Sequence, residues 1–186
     1  MPFSYYERLS EKNKAIYRRS DRVTEIVLPR PELLEHIVGL LRTALERDQR
    51  PAVQATAGAV CRGITEMLDL PPVEVQVLAV RPSSRHSELH GLYTSEDGAT
   101  PTIRVWMRTA RHRRVVAFRT FLRTLLHEIT HHLDFQLLEL EDSLHTEGFF
   151  KRESSLFRQL VPEPSRQRAG GVVDGPGADS AAEDAG

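Results

Sequence analysis

The segment His127-Glu128-Ile129-Thr130-His131 places two histidines four positions apart in a stretch of helical periodicity. On an α-helix such residues lie about 40° apart around the axis and one turn apart along it, so both imidazoles can reach one tetrahedral metal ion. Glu128 is turned about 100° from His127, which keeps its carboxylate beside the ligands rather than among them. A glutamate in that position can take a proton from a water that zinc activates. The segment therefore predicts a helix with a zinc site and a general base.

Apolar residues recur every three to four positions from about residue 114 to residue 138, which predicts a long helix around this motif. The apolar neighbours Leu126 and Ile129 fix the motif against a core. The stripe consists of Phe118, Leu122, Leu125, Ile129 and Leu133.

A catalytic zinc ion needs a third protein ligand and one open position. The closely spaced arrangement, with glycine at 134 and histidine at 137, is excluded because Asp134 and Leu137 stand there. Asp134 shares the metal-binding face, where it is a ligand or, as we favour, a partner of a ligand or a surface residue. His132 is turned about 140° from His127 and is expected at the surface. The downstream candidates are His132, Asp134, Glu139, Glu141, His145, Glu147 and Glu153.

Around this helix the sequence indicates an α+β fold. Helical patterns cover about residues 4–19, 31–45, 51–68 and 146–160, and alternating or extended patterns cover about 73–79, 88–93 and 103–107. We divide the chain into an N-terminal helical region (1–70), a catalytic core (71–162) and a tail (163–186). The tail is rich in Gly, Ala, Pro, Ser and acids, which predicts disorder.

Composition narrows the possible classes of protein. The single cysteine, Cys61, excludes an intramolecular disulfide and a zinc site built from cysteines. The net charge of −1 points to neither nucleic acid nor an anionic membrane. No signal peptide and no apolar run of about 20 residues is evident. We expect a soluble, cytoplasmic protein.

The motif, a 13-residue gap, and then His145-Thr146-Glu147-Gly148-Phe149-Phe150 resemble the SprT-like and WLM branch of zincin-like metallopeptidases. The resemblance covers roughly residues 73–160. It implies Zn²⁺ held by His127, His131 and His145, Glu128 as the general base, and cleavage of a protein or peptide.

The same resemblance implies a zincin-like fold with N-terminal helices, a small mostly antiparallel sheet, an active-site helix and a return helix. Thr102–Arg108 resembles the family's edge strand, which pairs with extended substrate. The chain departs from the pattern in having no C-terminal cysteine-rich zinc ribbon, and residues 4–70 have no counterpart. His90 and Tyr93 could approach the site, but packing or surface roles are favoured.

Seven arginines and no acid lie between Pro101 and Thr124, at positions 104, 108, 111, 113, 114, 119 and 123. Such a segment could bind nucleic acid, but no nucleic-acid-binding motif accompanies it and we favour a solvated surface. The alternatives to a peptidase are a non-catalytic zinc-containing binding module, a DNA-associated protease guided by this segment, and a zinc hydrolase of another amide.

Overall fold

The computed structural model describes residues 3–82, 88–96 and 98–162 and has an α+β architecture. The predicted tail lies outside these residues. In the described ranges, the helices and strands in chain order are α1 (Glu11–Arg22), α2 (Glu35–Glu46), α3 (Arg50–Met67), β1 (Glu74–Val80), β2 (Gly91–Thr94), β3 (Thr102–Arg108), α4 (Phe118–Gln136) and α5 (Glu147–Leu160), with 3-10 turns at Tyr6–Arg8 and Pro31–Leu34.

The sheet is mixed, in the order β1-β3-β2, and the expectation of a mostly antiparallel sheet was wrong. Strand β1 runs parallel to β3 along the greater part of its length, and β2 pairs antiparallel with β3. The expected edge strand, Thr102–Arg108, is instead the central strand. Its consecutive buried residues Val105, Trp106 and Met107 show why, since a strand covered on both faces carries continuous apolar runs.

The two edge strands of the sheet, β1 and β2, have different neighbours. On the β1 edge, the side chain of Gln54 from α3 accepts a hydrogen bond from the Val77 N–H (2.6 Å) and donates one to the Val75 carbonyl (2.5 Å). These bonds occupy backbone groups that an outer strand leaves unpaired. The β2 edge lies beside α4, the helix with the two-histidine motif.

One hydrophobic core joins the helices on both sides of the expected boundary between residues 70 and 71. Leu41 and Ile64 from the N-terminal helices belong to the same buried cluster as Val105 and Leu125. Helix α4 is shorter than the predicted range of 114–138. Its start is delayed because the Val116 N–H donates to the Met107 carbonyl (2.8 Å), which holds residues before Phe118 in an extended conformation.

Helix α1 packs against the start of α5 and hydrogen-bonds to it. The first helix begins at Glu11 rather than near residue 4, because Ser10 caps it by accepting from the Asn13 N–H. The Asp21 carboxylate accepts from the Gly148 N–H at 2.7 Å. A Cβ at position 148 would meet the Ser20 carbonyl oxygen at 2.6 Å, so only glycine permits this approach.

No helix in the described ranges combines the length and the hydrophobicity that crossing a membrane requires.

Candidate metal centre

Three histidine side chains converge between α4 and the segment that leads into α5. His127 and His131 lie one turn apart on α4, and His145 stands just before Thr146, the residue that caps α5. The His145 Nε2 lies 3.0 Å from the His127 Nε2 and 3.2 Å from the His131 Nε2. Two nitrogens bound to one tetrahedral zinc ion would be about 3.3 Å apart. The three predicted ligands are therefore close enough to hold one metal ion.

The ring orientation of His131 is set by a serine that sequence reasoning missed. Its Nδ1 lies 2.7 Å from the Ser143 Oγ, and that hydroxyl donates its proton to the Asp134 Oδ2 at 2.8 Å. Because the serine proton is committed to the carboxylate, the Oγ accepts from an Nδ1–H. The Nε2 of His131 is thus left with a lone pair directed at the other histidines.

His127 is held in the same tautomer by a carboxylate. Its Nδ1 lies 3.2 Å from the Glu153 Oε2, and an ionised carboxylate can only accept a hydrogen bond. With both Nε2 atoms unprotonated, His145 can donate to just one of them. A cation at the centre would bind all three Nε2 atoms at once. The hydrogen bonds from the Nδ1 atoms of His131 and His127 to Ser143 and Glu153 are of the kind that histidine ligands of metals typically make. The donor set fits a zinc ion.

The surroundings favour neutral imidazoles, the form that binds metal. Burial, together with the neighbouring His127 and His145, lowers the pKa of His131 to about 3. Burial likewise lowers the pKa of His145. Phe149 is fully buried and packs against all three rings, with centroid separations of 4.9, 4.7 and 5.0 Å.

Glu128 is buried between α4 and strand β2. Burial raises the pKa of its carboxyl to about 7, while His127 and a hydrogen bond from the backbone of Tyr93 oppose the rise. A Cβ at position 91 would lie 2.7 Å from the Glu128 Cγ and Cδ. A side chain at position 91 would therefore displace the Glu128 carboxylate from this position.

Two cavities of about 380 and 320 Å³ meet at Gly91, His127 and Glu128. Together they form a cleft that passes the three histidines, and we call this the cleft below. Its first half is lined by polar and charged side chains, and its second half includes Leu92, Tyr93 and Phe135.

His132 is fully buried, so its expected place at the surface was wrong. Its Nε2 lies 3.0 Å from the Pro71 carbonyl oxygen, which only accepts, so the proton is on Nε2. The hydroxyl of Tyr93 donates to the remaining Nδ1 at 3.2 Å. The helix is covered on this side too, by β2 and the segment before β1. Tyr93 does approach the site, but its hydroxyl is engaged with His132.

Neither Asp134 nor Glu153 is a member of the cluster: Glu153 contacts His127 directly, and Asp134 is linked to His131 through Ser143. The Asp134 Oδ1 accepts from the Arg152 guanidinium at 2.7 Å, and both side chains are completely buried. A signal was present in the sequence: Arg152 interrupts the apolar stripe of α5 three residues after Phe149. A charge at a core position predicts a buried partner.

The remaining acidic candidates lie away from the three histidines. Glu139 and Glu141 are exposed, and Glu147 forms an ion pair with Lys151. The arginines of the 104–123 segment are divided among β3, the connection to α4, and α4 itself, where Arg119 and Arg123 both stack on Phe157.

No family model, curated protein or solved structure matches this chain. The resemblance to SprT-like metallopeptidases accordingly stays a prediction from the motif.

Proposed function

We propose that this protein is a zinc-dependent metallopeptidase of the SprT-like, zincin-like type that hydrolyses peptide bonds. His127, His131 and His145 hold the zinc ion, and Glu128 acts as the general base. The observation that carries the proposal is the convergence of three Nε2 atoms within the spacing of one metal ion. Two of those rings are fixed by Ser143 and Glu153 so that their lone pairs face inward.

A zinc ion in this position would polarise the scissile carbonyl and lower the pKa of water to near neutrality. The chain supplies the proton transfers. Glu128 lines both halves of the cleft, takes a proton from the attacking water and passes it to the leaving amine nitrogen. Glu128 would be ionised beside such a cation, because a nearby positive charge opposes the effect of burial on its pKa.

The metal part of the proposal is tested by zinc analysis of the purified protein. We expect about one zinc ion per chain and its loss in His131→Ala. His112→Ala is the matched control, because that histidine is exposed in the connection to α4 and should retain the metal. A metal-free native protein, or equal zinc content in both variants, would contradict the proposal.

The catalytic part is tested with Glu128→Gln, which keeps the shape of the side chain and removes its basicity. We expect kcat on a peptide mixture to fall by about 10²–10⁴-fold while the zinc content and thermal unfolding midpoint stay unchanged. If a zinc-loaded wild-type protein cleaves no peptide or protein, the non-catalytic binding module becomes the better explanation.

A further inference from the structure

An arginine stands at the polar end of the cleft. Arg123 precedes His127 by one helical turn on α4, a rise of about 6 Å, and lines the same 380 Å³ cavity as His127 and Glu128. In the described parts of the chain, it is the one arginine or lysine among the residues that line either half of the cleft.

The guanidinium of Arg123 is held in place without using its hydrogen-bond donors. Its Cζ lies 4.1 Å from the centroid of the Phe157 ring, and stacking of this kind restricts the side chain. The nearest acidic atom is the Glu153 Oε1 at 3.7 Å, beyond hydrogen-bond distance. Among the residues that the structure describes, none accepts a hydrogen bond from this guanidinium.

Glu153 forms an ion pair with Arg123 at 3.7 Å, but it accepts no hydrogen bond from the guanidinium, so the N–H donors stay available to a second carboxylate. A stacked guanidinium with free N–H groups is suited to bind a carboxylate through two parallel hydrogen bonds. The other half of the cleft, with Leu92, Tyr93 and Phe135, suits an apolar group. The two halves thus differ in the chemistry they would accept.

We propose that Arg123 binds a carboxylate of the substrate, placed close to the bond that is cleaved. The carboxylate is either the C-terminal group of a peptide or the side chain of an acidic residue. This inference rests on the proposed zinc site, because the metal fixes the position of the scissile bond relative to Arg123.

The test measures binding of three peptide hydroxamates to the zinc-loaded protein by calorimetry. The hydroxamate group ligates zinc, and the three probes end in a free carboxylate, in an amide, or in an amidated aspartate. We expect at least one acidic probe to bind about 10-fold or more tightly than the neutral amide, the value of a charge-assisted hydrogen bond. The acidic probe that shows the gain identifies the source of the carboxylate.

Arg123→Gln should remove this preference, so that within this variant the acidic probes bind no more tightly than the neutral amide. Arg119→Gln is the matched control, since Arg119 lies one turn before Arg123 on α4 and stacks on the same Phe157 ring without lining the cleft. It should keep the preference.

Equal binding of all three probes by the wild-type protein would overturn the inference while leaving the zinc site intact. A preference that survives Arg123→Gln would overturn it as well. A protein that binds no zinc would overturn the proposed function, and the inference with it.

Discussion

The interface between α3 and the sheet and the interface between α4 and α5 differ in the polarity of their buried side chains. The buried side of α3 is almost entirely apolar, with Val53, Ala57 and Ile64 completely inaccessible. The contact between α4 and α5 contains the Asp134–Arg152 ion pair, also completely inaccessible. Apolar packing stabilises a fold without fixing directions, whereas buried polar pairs fix directions and contribute little net stability.

The polar interface connects the N-terminal helix α1 to His131, a proposed metal ligand. Arg152 donates to the Ser20 carbonyl and hydroxyl on α1 and to Asp134 on α4. Asp134 accepts from Ser143, whose Oγ receives the His131 Nδ1–H. The interface with the buried polar pair is thus also the one beside the three histidines, whose Nε2 atoms must be placed accurately.

Breaking the ion pair should produce the largest effect. Asp134→Ala leaves Arg152 buried without its carboxylate, and we expect the free energy of unfolding to fall by about 3–5 kcal/mol. The double variant Asp134→Ala with Arg152→Met should be more stable than the single variant, because no unpaired charge remains. Urea unfolding followed by circular dichroism measures both. A double variant less stable than Asp134→Ala would contradict a small net contribution of the pair.

The apolar interface should respond to lost volume alone. Ile64→Ala removes three carbons from a fully buried position and should cost about 2–5 kcal/mol of stability. Ile64→Val is the graded control and should cost about 0.5–1.5 kcal/mol. Zinc affinity of the folded protein should be unchanged in both, and a large loss of affinity would show that the two interfaces are coupled.

Ser143→Ala removes the link between the ion pair and the metal ligand. We expect zinc affinity to fall about 10–100-fold, because His131 loses the acceptor that sets its tautomer. Competition with a chelator measures this, and the absorption spectrum of the cobalt-substituted protein should shift. The control is Ser154→Ala, because Ser154 is a part-buried serine of α5 that makes no hydrogen bond to any of the three histidines. Equal zinc affinities for the two variants would show that Ser143 does not position His131.

The sequence predicted what depends on helical periodicity. The spacing of His127 and His131, the α+β class and the helical regions all follow local patterns, and the structure has them. The proximity of His145 was also expected and is present. Boundaries were less accurate where tertiary bonds decide them, as at Val116, whose bond to Met107 delays the start of α4.

Strand order and the partners of the histidines could not be predicted in this way. The alternation of β3 is compatible with either a central or an edge strand, and only the packing of both of its faces decides. His132 was placed at the surface because the angle around one helix does not reveal a second covering element. Ser143 and Glu153 lie 12 and 26 residues from residues 131 and 127, the histidines that they contact. No local pattern connects such pairs.

The smallest effect concerns Cys61, in the apolar interface. Burial raises the pKa of its thiol to about 12 from the ordinary value of 9.0. The unfolded thiol ionises first, so the contribution of the neutral thiol to stability is complete well below pH 9, begins to fall near pH 9 and is lost as the pH rises towards 12. Relative to Cys61→Ala, the wild-type protein should lose about 0.4 kcal/mol by pH 9, where half of the unfolded thiols are ionised. Urea titrations at pH 7 and pH 9 measure the difference. Thiol reagents should label the protein only after unfolding, and rapid labelling of the native protein would show that this interface admits water.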